Sequence, residues 1–449
     1  MPIPPELSTA CADIELAGSA DTIEGRQARF VAAPASTEEA SALLRAAAAL
    51  GLTVVPRGVG RLQHWGNPPE SCDLIVDTRR LNRVVEHSIA DFTVTVQAGV
   101  RLPDLAQAVE AGGQSVGMTP HGRGHSGTVG GMIATNTANS RRYRFGTPRD
   151  RLVGLTAVRA DGTILRSADA DRVAGQDLVT LFAGSFGSLG LITEATLRLE
   201  PLPQVTRGVL LPCTDPGHAA RLVEAVSAAE FNPTGIDVRW LSADQPLGLI
   251  VTIQGERDDV HARAGRLHAL VGRSAPPPPD PASARRLDAP DHGGLPPALA
   301  QKLLAQQERI RANLRNPPPD TGTLVRVSIP PASLAGVLPL IQAAAAGNGL
   351  GVAIGGSAGA GVLDVRIPAE SAPAAVARFV TALRAGLAGA IEPPTAAAPA
   401  RAVVVYAPDE VRDLTDTRGP VPSLALVRAI KDEFDPERRM APGRLADAV

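Results

Sequence analysis

The chain has 449 residues, 44% of them hydrophobic, with 44 basic side chains against 46 acidic ones. That length exceeds one ordinary core and predicts a globular protein of two or three domains with room to bury a large cofactor. The near balance of charge, with no block of like sign, excludes a nucleic-acid surface or a basic membrane anchor, and Cys11, Cys72 and Cys213, far apart and without a CxxC pair, exclude a structural zinc or an iron-sulfur cluster on this chain.

Residues 1–27 read as an N-terminal extension with neither a basic n-region nor an apolar h-region. No later stretch reaches the roughly 18 to 20 apolar residues of a membrane span, so the expectation is a cytoplasmic protein, peripheral to the inner membrane through a partner if at all. Residues 29 to 55 predict a strand, a helix and a strand. Ser36 with Glu39 forms a capping box, Gly51 ends the helix, and the two strands form a parallel pair around the crossover. Strands follow at 73–77 and 92–99, and a helix runs from Pro103 to Gly112 and Gly113, giving a small α+β lobe up to about residue 117. From Thr119 to Pro201 a Gly-rich segment leads into strands at 154–166, with an Asp161-Gly162 hairpin turn, and a Gly-rich turn then feeds the strand ITEATL. These form a second lobe.

Residues 205–270 and 323–400 alternate β-rich and Ala-rich helical pieces, which fits a ferredoxin-like mixed sheet. The Ala-rich run Ile341 to Gly347 belongs to a core helix. Between the halves, residues 274–298 are too rich in Pro to pack and read as a mobile surface insertion. The tail, 403–449, carries a strand, the helix PSLALVRAIKDEF and a Gly/Pro ending. The fold class is α+β, with a two-lobed domain at 28–204, a smaller cap domain at 205–402 and a C-terminal segment returning to the site.

Three segments carry chemistry. In the first, VVPRGVGRLQHWG, a strand ends at Pro56 and enters Arg57-Gly58-Val59-Gly60-Arg61-Leu62. A pyrophosphate needs several backbone N–H groups aimed at it with no Cβ in the way, which glycines alternating with small residues supply. The spacing is neither GxGxxG nor a P-loop, so alone it favours no nucleotide class. The second segment has Gly127, Gly130 and Gly131 followed by small residues through Thr137, where a flat ring and its ribityl chain could lie against backbone. The third is LFAGSFGSLGLITEATLRLEPLP.

In this order and spacing the three segments resemble the FAD-binding domain of the vanillyl-alcohol-oxidase and para-cresol-methylhydroxylase superfamily. Within it the chain looks like the small flavin subunit of glycolate oxidase, on LIVDTRRLNRVVEH, TVTVQAGVRLPDL, TVGGMIATNTA, VAGQDLVTLFAGSFGSLGLIT and IKDEFDPERRMAPGRL. The resemblance covers roughly residues 28–205 and 400–445. It implies FAD as cofactor, with Arg57, Gly58, Val59, Gly60, Arg61 and Leu62 around the pyrophosphate and Pro56 and Pro120 among the cofactor-binding residues. It puts Gly127, Thr128, Gly130, Gly131, Thr135, Asn136, Thr137 and Ala138 near the ribityl chain and ring, and Gly187, Ser188, Leu189, Gly190 and Ile192 at the adenosine end. Where covalent members have a histidine this chain has Arg61, and where a cysteine tether occurs it has Ser126, so the resemblance implies noncovalent FAD. His64 stands three positions past the tether place.

The chain departs from the family at Asp171 to Gln176, where relatives read KNVAGY. It also lacks the asparagine before Pro442-Gly443. The scattered His218, His261, His268 and His292 do not reproduce the metal motif of the larger glycolate oxidase subunit, so no metal is expected. Oxidation of a 2-hydroxy acid needs a base for the hydroxyl proton and a cation for the carboxylate. Two clusters offer them, His121 with Arg123, and Arg142 with Tyr143. Few aromatics argue for a small polar substrate, and Glu194 reads as structural. The function implied is an FAD-dependent dehydrogenase of glycolate or D-lactate, with a larger flavin subunit and an iron-sulfur subunit as partners. The alternatives are a flavin-carrying subunit with little chemistry of its own and a binding protein that has lost catalysis.

Overall fold

The computed structural model describes residues 2–117, 127–167, 178–228, 231–272, 322–390, 400–421 and 423–444. Two compact units share the chain: Met1–Ala138, Gly146–Leu202 and Pro420–Val449 form the first, and Asn139–Phe145 with Pro203–Gly419 form the second. The first unit is thus assembled from three separate pieces of chain. The strand at 401–406 and the stretch to Gly419 lie in the second unit, so the tail begins its return at Pro420 rather than at 403. The Pro-rich stretch 274–298 lies outside the described residues.

In the first unit a four-stranded sheet has the order Ile14–Leu16, Phe30–Ala32, Leu74–Asp77, Val54–Arg57. The crossover helix Thr37–Ala49 joins Phe30–Ala32 to Val54–Arg57, as the sequence predicts, yet these strands are not neighbours. Leu74–Asp77, buried along its whole length, lies between them and parallel to both. A strand buried on both faces needs a continuous apolar run, which Leu74, Ile75 and Val76 supply. Half of the capping box forms: the Ser36 hydroxyl accepts the Glu39 N–H (3.0 Å), while the Glu39 carboxylate accepts the N–H groups of Ala35 (2.7 Å) and Ala12 (3.0 Å). Glu39 therefore ties the N-terminal extension to the helix start.

The second sheet of this unit has five strands in the order Ile164–Arg166, Leu152–Val158, Leu191–Arg198, Thr93–Gln97, Val84–Ser88, all antiparallel. The Asp161-Gly162 turn closes its hairpin as expected, with Gly162 at φ +84°. Thr93–Gln97, assigned by the sequence to the first lobe, belongs here, paired from Glu194↔Gln97 to Arg198↔Thr93. Nothing local in TVTVQ selects a partner. The pairing is decided by an edge formed a hundred residues later in the chain.

The second unit is one seven-stranded sheet ordered Val205–Cys213, Leu247–Gly255, Gly235–Trp240, Ala353–Ser357, Val362–Ile367, Thr323–Ser328, Arg401–Tyr406. Every pairing is antiparallel, which corrects the expected mixed sheet. Twice a strand, a helix and a strand are followed by a hairpin strand that inserts between the two joined by the helix. A hairpin return runs opposite to its neighbour, so the insertion makes the sheet antiparallel; in the first unit the inserted strand arrives by a long loop and is parallel. One apolar core, including Val209, Leu249, Val325, Leu338, Val365 and Phe379, lies between this sheet and its helices. No helix among the described residues is long and apolar enough to cross a membrane.

Candidate functional site

The strand Val54–Arg57 delivers the first glycine loop, and the first unit brings the other two segments against it. A Cβ on Gly58 would lie 2.4 Å from the Thr128 hydroxyl oxygen, and one on Gly187 would lie 3.1 Å from the Pro56 ring. The Phe186 N–H donates to the Ala134 carbonyl (2.8 Å) and the Gly184 N–H to that of Ile133 (3.0 Å). All three segments therefore meet within one unit.

The loop is open where an anion needs it open. Among the described residues the N–H groups of Gly58, Val59, Gly60 and Leu62 donate to no acceptor in the chain. Gly60 takes φ +72°, and a Cβ there would meet only Arg57 Cδ at 4.0 Å. Successive unengaged N–H groups on a half-buried glycine turn make a concavity able to hold an anion. The Arg57 guanidinium is used elsewhere, paired with Asp21 (2.9 Å) and Asp77 (3.5 Å), and it holds the Asp21 carboxyl below its ordinary range. What Arg57 leaves to a ligand is backbone. Burial pushes the Arg61 guanidinium below its ordinary range, a cost that an adjacent anion would offset.

In the second segment Thr128 is buried and its hydroxyl caps the helix Val129–Thr135, accepting the Gly131 N–H at 3.2 Å. Gly130 lies against Ala98, where a Cβ would come within 2.8 Å of the Ala98 side chain. The helix ends in left-handed Asn136 (φ +47°), whose side-chain oxygen accepts the Arg149 N–H at 3.1 Å. Gly131, Thr135, Asn136, Thr137 and Ala138 keep accessible surface. In the third segment the opposite holds: Ser188, Leu189, Gly190 and Ile192 are buried, and a Cβ on Gly190 would lie 2.5 Å from the Val158 carbonyl. That turn supports the site from behind with packed backbone. Pro120, His121, Arg123, Ser126 and the 171–176 turn lie outside the described residues.

Of the remaining candidates, Arg142 and Tyr143 stand in the short helix Arg142–Phe145, which belongs to the second unit. The Tyr143 ring packs where a Cβ on Gly359 would approach it to 2.6 Å, and Ser140 lies against Gly235 and Ser357. This brings the segment to the central strands of the seven-stranded sheet. On the face of those strands away from the helices stand Asp237, Arg239, Arg326, Asp364 and Arg366. Arg326 forms a two-point pair with Asp364 (2.8 and 3.1 Å), and a Cβ on Gly355 would lie 2.8 Å from Arg239. Burial and the nearby Arg239 push the Arg366 guanidinium down, opposed by Asp364. Burial raises the Glu194 carboxyl, on the strand that follows the third segment's glycine turn, where the charges acting on it are Arg166, Arg83 and Glu38. No cluster of three or more potential metal ligands occurs among the described residues.

Sequence reasoning missed the groups that hold the site from the C-terminal segment. Arg444, buried, donates to the Gln63 side-chain oxygen (2.9 Å) and to the carbonyls of Gln63 (2.5 Å) and Trp65 (2.9 Å). Lys431 is wholly buried beside Asp435. A signal existed, because Lys431 is one of two lysines in an arginine-rich chain and occupies the apolar stripe of its helix with Leu424, Val427 and Phe434.

Residues 28–168 match the FAD binding domain family. Glycolate oxidase subunit GlcD of Bacillus subtilis (strain 168) is 34% identical over 223 residues, 49% of this chain and 46% of that protein. D-2-hydroxyglutarate dehydrogenase of Xanthomonas citri pv. viticola is 35% identical over 183 residues, 40% of this chain and 39% of that one. The matched stretch spans less than half the length of either relative. The fold is that of p-cresol methylhydroxylase, whose structure with substrate bound superposes with a TM-score of 0.65 at 14% identity, covering 98% of this chain and 95% of that one. Residues 28–168 are therefore an FAD binding domain, in a chain whose fold is like that of p-cresol methylhydroxylase.

Proposed function

We propose that this chain is an FAD-dependent dehydrogenase of a small 2-hydroxy acid such as glycolate or D-lactate, holding its flavin without a covalent bond. The observation that carries the reading is the open loop with the unengaged N–H groups of Gly58, Val59, Gly60 and Leu62, at the meeting point of the three segments. In this reading the loop N–H groups and Arg61 hold the pyrophosphate, and Gly131 to Ala138 line the ribityl chain and ring. Gly187 to Ile192 fix the adenosine end through packed backbone. Arg61, where a tethering histidine would stand, supports dissociable flavin. Bound FAD would supply the acceptor for the hydride of the hydroxyl-bearing carbon.

Residues 205–402 act as the cap domain in this reading, and the polar face of its sheet supports an anionic substrate. Arg239, Arg326 and Arg366 stand there with Asp237 and Asp364, and guanidinium groups suit recognition of a carboxylate. A larger flavin subunit and an iron-sulfur subunit would carry the electrons away. The replacement of Lys, Asn and Tyr in the 171–176 turn favours the second reading, a flavin-carrying subunit with little chemistry of its own.

Titration of the purified protein with FAD tests the cofactor: an absorbance band near ~450 nm that acid precipitation releases into the supernatant is expected. A protein that takes up no FAD sinks both readings. Anaerobic bleaching of the bound flavin by glycolate or D-lactate separates the enzyme from the carrier. Gly60→Trp fills the open loop and should abolish FAD uptake. Arg239→Met should raise KM for the hydroxy acid ~10-fold to 100-fold, the loss of one charge-assisted contact.

A further inference from the structure

The C-terminal segment does more than close the first unit. Lys431, at the end of the helix Leu424–Phe434, and Asp435 are both fully buried, with Nζ 2.6 Å from Oδ2. The same ammonium donates to the carbonyls of Ser188 (2.7 Å) and Met440 (3.0 Å), so each of its three N–H bonds has an acceptor. Asp435 in turn accepts the N–H groups of Arg439 (3.0 Å) and Met440 (2.7 Å), which shapes the turn that follows. That turn enters the ladder of the first flavin strand: the Val54 N–H donates to Arg439 (2.8 Å) and the Ala441 N–H donates to Val54 (2.8 Å). Four residues on, Arg444 grips the Gln63 and Trp65 carbonyls of the loop that Val54–Arg57 delivers, and Gln63 itself donates to the Pro56 carbonyl (2.9 Å).

We infer that Lys431 and Arg444 are positioning residues for FAD, one fixing the Gly187–Gly190 turn and the other the Gly58–Leu62 loop, so that cofactor affinity is set from the C-terminal segment. Neither cation needs to touch the flavin. A buried ammonium costs several kcal/mol to desolvate and is retained only where its acceptors are fixed in return; here two of the three acceptors are main-chain carbonyls, and one of these, Ser188, belongs to a flavin segment. Nη2 of Arg444 holds both loop carbonyls while Nη1 holds the Gln63 side-chain oxygen, a two-nitrogen grip that the single nitrogen of a lysine does not reproduce.

The inference rests on the FAD reading, and the experiment keeps the two apart. The dissociation constant for FAD is measured by flavin fluorescence for the wild type, Arg444→Lys and Lys431→Met, alongside the melting temperature of each apo-protein. Arg444→Lys should weaken FAD at least tenfold, chiefly through faster release, with the apo-protein still folded. Equal affinities in folded variants overturn the inference and leave the FAD reading intact, whereas a wild type that takes up no FAD overturns both. Should Lys431→Met not fold, hydrogen exchange of the wild type decides for Lys431: FAD should slow exchange at residues 435–441, and unchanged exchange there overturns its role.

Discussion

The two units spend their backbone differently. The second closes one antiparallel sheet over one large apolar core, with only a small cluster at Leu210 and Ile250 apart from it, almost entirely from the contiguous stretch 203–419. The first divides its apolar residues between separate clusters, around Leu43 and Leu74 in one and Val55 and Ile75 in another, and is stitched from three distant pieces. Among the described residues, non-glycine positions with positive φ concentrate there: Glu24, Phe92, Asn136, Phe186, Arg438 and Ala441, against Asn232 alone in the second unit. Three of the six, Asn136, Phe186 and Ala441, stand in the segments that converge on the flavin loop. Left-handed non-glycine residues cost about 1 kcal/mol or more each and persist where surrounding contacts over-determine them. A sheet that pairs its backbone throughout has no need of them, whereas a loop that leaves N–H groups open has to turn its chain without satisfying it.

The sharpest way to break this comparison is to fill one close approach in each unit. A Cβ on Gly99 would lie 1.8 Å from the Thr78 carbonyl oxygen, and one on Gly361 would lie 1.9 Å from that of Ile329. Each substitution to alanine should cost upward of about 4 kcal/mol in its own unit. Calorimetry with FAD titration should find that Gly99→Ala loses flavin binding, while Gly361→Ala lowers the melting of the second unit and retains FAD. If both substitutions release flavin alike, the units do not divide the work.

Acid should act next, and on the first unit. Desolvation raises the carboxyls of Glu39 and Asp73, yet the N–H groups of Ala35 and Ala12 on Glu39, and the Thr53 and Arg29 contacts of Asp73, outweigh it and hold both below their ordinary range. Arg57 does the same for Asp21. A carboxyl whose folded pKa is depressed stabilises the fold above its unfolded pKa and loses that contribution as pH falls through the folded value. The stability of this unit should therefore decline below about pH 4. Melting curves across that range should show it, and Glu39→Gln should flatten part of the decline.

The smallest effect expected is at the helix start. Ser36→Ala removes one acceptor for the Glu39 N–H and should cost about 1 kcal/mol. Because Glu39 still bridges Ala35 and Ala12, FAD affinity should be unchanged within twofold. A larger loss, measured by denaturant melts, would mean that the N-terminal extension depends on this cap.

The sequence by itself determined the pieces. The helix after Ser36, the strand LIVD, the hairpin at Asp161-Gly162, the helix begun by Pro103 and the three glycine segments are all legible because each rests on local chemistry: a capping oxygen, a φ only glycine adopts freely, a run of apolar side chains. The ordered recurrence of those segments pointed to FAD. Strands that escaped include Ile14–Leu16, Val84–Ser88, Gly235–Trp240 and Ala353–Ser357, the last because AIGGS reads as a loop until neighbours supply its pairing.

Only the tertiary structure decided how the pieces meet. It inserted Leu74–Asp77 between two strands joined by a helix, moved Thr93–Gln97 to the second sheet and gave Asn139–Phe145 to the second unit. It also buried Lys431 against Ser188, 243 positions away. Strand pairing and buried ion pairs depend on which edges and carbonyls remain open after other segments have packed. That information lies in no window of the chain, which is why the glycine loop could be read from residues and its C-terminal support could not.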